Sequence, residues 1–496
     1  MRAESTRHRK LREIAEFLEI SREDSVQTAD IEITGLTNVS SQVRKGDLFL
    51  ALPGANAHGS QFVGEALARG AHAVLTDQIG AALKLNIPIL KVRDPRASAG
   101  PLSAWFYGEP MREMYSVGVT GTNGKTTTTT LLSQLWQGAD REYGLIGTIE
   151  TRIGNQVRPS ARTTPESCEL QELAAMMRDR QIRNFVIEVS SHALSLNRVT
   201  GSHFSAVAFT NLTQDHLDFH GSMEKYFEAK AKLFTFEYAD RAFINVDDAF
   251  GARLSEQTEL PVTRISRDAK NADWYFEGIA PATNGVNVGI RGPGGILIEG
   301  DIALHGEYNL DNALMAVALA FDSGLDSMEI ASLLPRLFGA TGRLEGVKVG
   351  QKFLAFVDYA HTPDAVGRVL KTCQSMTKGK VIAVLGCGGD RDSGKRILMG
   401  EALLEESSIA IFTSDNPRSE DPAAILAEMT QGLDIGPPSK VISDREEAIE
   451  YAAGLAAPGD LLIILGKGHE IGQEVQGVIY PFDDRQVLSA AIARLL

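Results

Sequence analysis

Lys125 and Thr126 stand in the segment GVTGTNGKTT, residues 118–127. Two glycines, a lysine and hydroxyls at that spacing suit one task, the holding of a phosphate chain. Gly121 and Gly124 let the backbone turn so that successive N–H groups, with those of Thr122 and Asn123 between them, point at one anion. Lys125 can reach the outer phosphates and the Thr126 hydroxyl can ligate Mg²⁺. A helix opening at Lys125, Thr126 and Thr127 adds a favourable dipole. The strict phosphate-loop pattern asks for glycine at 119. Val119 stands there and Gly118 comes one place early, so the loop is a shorter variant. The bland alternative is a Gly-rich strand-to-helix turn, which the Gly-Lys-Thr-Thr run disfavours.

Other residues are suggestive only as a set. Glu188 in EVSSHAL ends a predicted strand, His216 lies in DHLDFH, and Lys230 lies in YFEAKAKLF. Read singly they are a solvated charge, a structural histidine and a helix-surface lysine. In DNPR, residues 415–418, an arginine offers a planar fork of donors suited to a carboxylate. Asp415 and Asn416 precede it, and Pro417 stiffens the turn.

Three regions must position these groups. From about Ile31 to Arg96, the runs GDLFLAL, FVGEALARGAHAVLTD and IPILKV read as a small α/β domain, with PLSAWFYGEPMREM as its exit. The second region opens on YSVGVTGTNGKTT. Apolar runs NFVIEVSSHAL, HFSAVAFTNL and RAFINVDD then alternate with helices, as in a doubly wound parallel sheet. A Gly-rich, β-branched stretch from NADWYFEGI to ILIEGDIAL reads as a small antiparallel addition. The third region, from near Arg343, repeats the α/β alternation in FLAFVDY, GKVIAVLGC, SIAIFTSDN and DLLIILGKG. The expected division is 1–111, 112–342 and 343–496, an α/β protein of three domains.

Composition excludes more than it assigns. The chain has 496 residues, 43% hydrophobic content and a net charge of −15, which argues against broad nucleic-acid binding. Three scattered cysteines make a disulfide framework improbable and suit a reducing cytoplasm. The basic start MRAESTRHRK is followed by no apolar stretch of signal-peptide type, and no run is long enough to span a membrane.

Twelve strings occur in one order: GDLFLALPGANAHG, TGTNGKTT, TTPES, EVSSHAL, DHLDFH, YFEAKAKLF, GEYNLDNALMA, GRLE, DYAHTPD, GCGGDRD, DNPRSEDP and GKGHE. Through them the chain resembles the Mur ligase family, which also includes folylpolyglutamate synthases, and within it the diaminopimelate-adding branch. The resemblance implies an N-terminal domain for a UDP-linked substrate, a central phosphate-loop ATPase and a C-terminal, Rossmann-like domain for the incoming amino acid. It also implies the activity: an ATP- and Mg²⁺-dependent cytoplasmic ligase that adds meso-diaminopimelate to UDP-N-acetylmuramoyl-L-Ala-D-Glu through an acyl phosphate. A monomer without nucleic-acid or membrane partners is expected.

The same resemblance assigns residues. Glu188, His216 and a carbamylated Lys230 join Thr126 at the metal, and with Lys125 form the catalytic set. Asn309 lies on the adenine side, Arg343 contacts phosphate, and Asp358 holds the ribose. Ser40, Ala55, Asn56 and Ala57 contact the UDP part. Thr163, Thr164, Ser190 and Arg198 contact the rest of that substrate. Arg391, Asp415, Asn416, Pro417, Arg418, Gly466 and Glu470 line the amino-acid pocket, with Arg418 as selector and Glu470 for the distal ammonium. Two positions depart from many relatives: Ser41 replaces an arginine, and Leu196 replaces a polar residue. The competing readings are a lysine-adding ligase and a non-catalytic nucleotide-binding homologue.

Overall fold

The computed structural model describes residues 8–20, 30–54, 57–82, 87–269, 272–282 and 285–496. It is a three-domain α/β architecture built on three principal sheets. The first is a four-stranded parallel sheet, in the order Gly35–Thr37, Asp47–Leu50, Ala73–Thr76 and Ile89–Lys91. The segment read as an exit is largely helix, Pro95–Tyr107. Asp94 caps its first turn, and Leu102, Phe106 and Tyr107 complete the N-terminal core. Gly108 and Glu109 then take left-handed φ of 73° and 51°, and the chain leaves the domain there.

The central sheet has eight strands. Six run parallel, in the order Tyr143–Ile146, Asn184–Glu188, Tyr115–Thr120, Ala206–Phe209, Ala242–Asn245 and Val262–Ile265. An antiparallel hairpin, Glu150–Ile153 with Gln156–Pro159, extends one edge. The antiparallel addition expected from composition is a three-stranded sheet, Tyr275–Pro281, Val286–Gly292 and Ile296–Ile302. Helix Lys125–Gly138 packs on helix Glu307–Asp322. Their shared core contains Leu131, Leu135, Trp136, Ala313 and Val317. The end of the first helix also packs closely on helix Ser327–Leu333: a Cβ on Gly138 would meet Leu333 Cδ2 at 2.5 Å.

The third sheet orders Glu345–Gly346, Leu354–Asp358, Leu461–Leu465, Val381–Cys387, Ile409–Ser414 and Lys440–Val441, with all but the first strand parallel. Its central strands are buried on both faces, which explains their unbroken Val/Ile/Leu character. A short hairpin, Gly472–Val475 with Val478–Pro481, follows the last long strand. All three cysteines are free and buried. Among the described residues no helix is long and apolar enough to cross a membrane.

Candidate active site

The loops at the carboxyl ends of the central and C-terminal sheets meet across one cleft, the usual place for ligands in open α/β sheets. The phosphate loop leaves the middle strand between the ends of Asn184–Glu188 and Ala206–Phe209. Val119, where the longer pattern wants glycine, is still inside this strand and pairs with Glu188. The turn is therefore confined to 121–124. Gly121 and Gly124 have φ of 146° and 89°. A Cβ on Gly121 would meet Thr210 Oγ1 at 1.9 Å, and one on Gly124 would meet Asn312 Oδ1 at 2.3 Å. The loop is anchored from outside: Asn211 accepts from Asn123 N through Oδ1 and from Thr122 N through its carbonyl, at 3.0 and 2.9 Å. Lys125 Nζ folds back onto the Gly121 and Thr122 carbonyls at 2.8 and 2.9 Å. Burial lowers its pKa, against the attraction of Glu188.

Thr126 Oγ1 donates to Glu188 Oε2 at 3.0 Å. Glu188 is 1% exposed and also accepts from Thr148 N and Oγ1, at 2.8 and 3.0 Å. Thr148 in turn reaches Thr163 Oγ1 at 3.0 Å. His216 lines the same cleft in a left-handed conformation. Burial pushes its imidazole down to about 3, against the pull of Asp215, so it is neutral and able to offer a lone pair. The carboxylate and hydroxyl oxygens suit a hard divalent cation, to which the imidazole would add one nitrogen donor. Among the described residues no three His, Cys, Asp or Glu side chains gather at metal-ligand spacing. The remaining ligands would have to come from phosphate, water or a modified side chain.

Lys230 is not among the residues lining the cleft. It is 1% exposed, donates to the Gly121 carbonyl at 2.8 Å and lies over the Tyr226 ring at 4.7 Å. Burial, with Lys125 nearby, drives its pKa well below the usual lysine value. It is no surface lysine but a buried amine behind the phosphate loop.

Asp215 ties the two sides of the cleft together. It stands 3.3 Å from Lys395 Nζ and 3.9 Å from His361 Nε2, both from the C-terminal sheet's loops, and 3.3 Å from His216 Nε2. Burial alone would raise its pKa, but the Lys395 ammonium, with the two imidazoles and the His216 N–H, outweighs burial and holds it low.

On the far wall, Arg391, Asp415, Asn416, Arg418, Gly466 and Glu470 converge with Thr163 and Ser190 around a space of about 360 Å³. Asn416 Nδ2 donates to Glu470 Oε2 at 2.7 Å. Lys467, wholly buried, bridges Glu470 Oε2 and Asn416 Oδ1 at 3.1 and 3.2 Å. Gly466 is obligatory, since a Cβ there would meet Asp415 Oδ2 at 2.6 Å and its φ is 109°. Asn416 holds Glu470 and does not orient Arg418. Arg418 instead donates from Nη1 to the Gly389 carbonyl at 2.6 Å, and its Nε lies 3.5 Å from Glu474. Pro417 does not line the cleft; its carbonyl packs where a Cβ on Gly389 would sit, at 2.0 Å.

A second cavity of about 250 Å³ adjoins the phosphate loop and is lined by Gly124, Thr127, Asn309, Arg343 and Asp358. Asn309 Nδ2 is spent on the His305 carbonyl at 2.8 Å. Asp358 accepts from Leu344 N and Ala360 N at 2.6 and 2.7 Å, and burial raises its pKa. Arg343 stacks on Tyr359 at 4.7 Å, leaves its buried Nε unpaired, and lines both cavities.

Other expected contacts lie apart from the cleft. Ser40 Oγ donates to Glu65 at 2.6 Å. Ala57 accepts from Gly54 N at 3.0 Å, while Ala55 and Asn56 lie outside the described residues. Thr164 faces inward, not toward a substrate: it is 1% exposed and its hydroxyl donates to the Glu188 carbonyl at 2.8 Å. Arg198 is engaged by Glu166 at 2.9 Å, and the same carboxylate draws in Arg96 at 3.3 Å and Arg162 at 3.5 Å. The Leu196 position keeps a polar role through its carbonyl, which accepts from Arg96 at 3.4 Å. Thr148, Asp215, Glu166, Lys395, His361 and Lys467 were not singled out as site residues by their sequence, although Asp215, Glu166, His361 and Lys467 stand inside DHLDFH, TTPES, DYAHTPD and GKGHE.

Burial also pushes the imidazoles of His220, His361 and His469 down to about 4 each. Between pH 6.5 and 4 the unfolded chain binds these protons and the folded chain does not, so stability falls as pH falls through that window. Asp311, raised to about 6 by burial, opposes the trend with one proton. Melting temperature measured from pH 7 to pH 4 is expected to decline steadily; a flat profile contradicts the burial of these rings.

Fold and cleft define a nucleotide-dependent enzyme of a recognisable kind, and the chain belongs to the Mur ligase family. Models of the Mur ligase family catalytic domain, the Mur ligase middle domain and the Mur ligase glutamate ligase domain match residues 32–102, 119–320 and 342–468. More particularly, the chain is 46% identical over 492 residues to the UDP-N-acetylmuramoyl-L-alanyl-D-glutamate--2,6-diaminopimelate ligase of Streptomyces coelicolor, covering 98% of this chain and 96% of that protein. It is 40% identical over 473 residues to the ligase of the same name from Bacillus velezensis, covering 94% and 95%. A solved structure of that name is 32% identical, with a TM-score of 0.64 over 93% of this chain and 95% of the other. The MurF ligase of Thermotoga maritima in complex with ADP shares the fold at 18% identity, with a TM-score of 0.62 over 93% and 96%.

Proposed function

We propose that the chain is the ligase that adds meso-2,6-diaminopimelate to UDP-N-acetylmuramoyl-L-alanyl-D-glutamate, with ATP as the energy source, in peptidoglycan precursor synthesis. The observation that carries this reading is the single cleft. It sets a phosphate loop and the Glu188 carboxylate opposite Arg391, Asp415, Asn416, Arg418 and Glu470. The names of the relatives, shared over nearly the whole chain, support the same substrates.

In this reading the residues divide the work. With the Thr122 and Asn123 amides held by Asn211, the amides that open the helix at Gly124 and Lys125 cradle the phosphates, and Lys125 exchanges its loop carbonyls for the outer phosphate oxygens. Thr126, Glu188, His216 and modified Lys230 would hold Mg²⁺, whose charge lets phosphates and a substrate carboxylate approach each other. The substrate carboxylate takes the terminal phosphoryl group of ATP to give an acyl phosphate. The amine of the incoming amino acid then attacks the acyl carbon, loses a proton, and expels phosphate. Arg418 receives the distal carboxylate of diaminopimelate and Glu470 its distal ammonium. Asn309, Arg343 and Asp358 serve the nucleotide, and Ser40, Ala57 and Thr163 the UDP-linked substrate. The sheets correspond to proposed domains 1–111, 112–342 and 343–496.

Burial disfavours the charged form of the Lys230 amine, and the uncharged amine is the form that reacts with CO₂, giving a carbamate and a proton and supplying oxygen ligands where an ammonium would repel the cation. Intact-mass analysis of the native enzyme is expected to show this carbamate, and bicarbonate is expected to restore activity lost in CO₂-free buffer. An unmodified Lys230 in active, Mg²⁺-loaded enzyme overturns it.

The function itself is tested by phosphate release from ATP with Mg²⁺ and UDP-N-acetylmuramoyl-L-Ala-D-Glu, adding either meso-diaminopimelate or L-lysine. Release with diaminopimelate and formation of the tripeptide product are expected. Release with lysine alone overturns the specificity, and release with neither overturns the ligase reading.

A further inference from the structure

We infer that the hairpin Gly472–Pro481, none of whose described residues lines the cleft, is the template that sets the amino-acid selector loop 415–418, with Gln473 and Glu474 as positioning residues. This deepens the proposed function and rests on it.

Arg418 carries φ of 52°, a conformation that a non-glycine residue holds only when its surroundings impose it. The surroundings that impose it are the hairpin's main chain. Arg418 N donates to the Glu474 carbonyl at 2.9 Å, and Gln476 N donates to the Arg418 carbonyl at 2.6 Å. Arg418 thereby pairs with Val475 as an added one-residue strand. The hairpin can do this because its two-residue turn is itself well specified: Gln476 and Gly477 both have positive φ, 50° and 75°, between the paired Val475 and Val478.

The rest of the selector loop is held from the same strand. Gln473 Nε2 donates to the Asp415 carbonyl at 2.6 Å and to Ser414 Oγ at 3.1 Å. Glu474 N donates to Asn416 Oδ1 at 2.9 Å. This turns the Asn416 amide so that its Nδ2 meets Glu470. Lys467 Nζ closes the arrangement on the Gly472 carbonyl at 2.6 Å. The Glu474 carboxylate, 3.5 Å from Arg418 Nε, is the acidic side chain on the selector guanidinium. With Nη1 spent on Gly389 and Nε facing Glu474, the fork's remaining N–H groups are left for a ligand carboxylate. Successive hairpin residues thus fix successive selector residues, and a shift of the hairpin would misplace the guanidinium without removing any group that touches substrate.

Full-length Gln473→Ala and Glu474→Ala, with Glu474→Gln as the conservative variant at the second position, test this by phosphate release at varied diaminopimelate, L-lysine, ATP and UDP-linked substrate. Each alanine variant is expected to raise the KM for diaminopimelate about tenfold and to reduce the preference over lysine by a similar factor. The KM values for ATP and UDP-linked substrate and the melting temperature should hold, and Glu474→Gln should recover part of the loss. An unchanged KM for diaminopimelate in both alanine variants overturns the proposal. So does a lowered KM in Glu474→Ala, which would make the carboxylate a competitor of the substrate. So does a parallel change in all KM values and in melting temperature, which marks a merely structural effect. If the unmodified enzyme releases no phosphate with diaminopimelate, the underlying function fails; if it does and the variants match it, only the hairpin's role fails.

Discussion

Lys125→Ala is expected to lower kcat/KM for ATP on the order of 10³-fold, the scale found when one preorganised charge partner is taken from a transition state. The lysine has no substitute in the loop. Its Nζ is within 2.9 Å of two loop carbonyls, so the ammonium is stored where phosphate oxygens would replace those carbonyls. Lys230, the neighbouring lysine, sits behind Gly121 and faces that residue's carbonyl. Lys125→Arg should rescue little, because the longer fork must fit a loop already closed against Thr210 and Asn312. Steady-state phosphate release at varied ATP measures the effect. A loss smaller than about tenfold would mean that the loop amides and metal carry the phosphates without the lysine.

Arg418→Ala is expected to raise the KM for diaminopimelate about 10²-fold, or roughly 3 kcal/mol, with the KM for ATP unchanged. The cost exceeds one exposed ion pair because Arg418 lines the cleft with part of its fork unspent, and its loss leaves the substrate's distal carboxylate without that partner. Lysine, which lacks that carboxylate, should lose nothing in the variant. The quantity to measure is therefore the ratio of kcat/KM for the two amino acids, which should collapse in the variant. A preserved ratio would shift the selector role to Arg391, which lines the same cleft.

The sequence disclosed the site where chemistry is written locally. A phosphate loop must follow a strand and open a helix, and GVTGTNGKTT occupies that junction. The strand ends that carry Glu188, Asp358, Asp415 and Gly466 were visible as apolar runs ending in Gly, Asn or acidic residues. The three-stranded antiparallel sheet was visible in its Gly-rich, β-branched composition. What stayed hidden depends on chain separation. Asp215 meets Lys395 across 180 residues, and Arg96 reaches Glu166 across 70. No periodicity encodes such pairings; the fold creates them. The hairpin Gly472–Pro481 was missed for a related reason, since its exposed Val478, Ile479 and Tyr480 do not alternate as a half-buried strand should. Lys230 was placed at the metal by the resemblance alone, because a single lysine on a helix carries no sign of burial and taken singly reads as a surface residue. Thr164 and Arg198, to which the resemblance assigns substrate contacts, meet the Glu188 carbonyl and Glu166 in the structure.

Arg343, Asn123 and Gly124 line both the cavity beside the phosphate loop and the cleft that faces the selector loop. Ligands that draw on the same wall residues are coupled to the extent that one repositions those residues for the other. Any change that a ligand in one space makes in the affinity of the other must be matched, equal in size and sign, by the change that the second makes in the affinity of the first. Titration calorimetry of either ligand in the presence of the other would read that coupling, and a molecule bridging both spaces across Arg343 would exploit it.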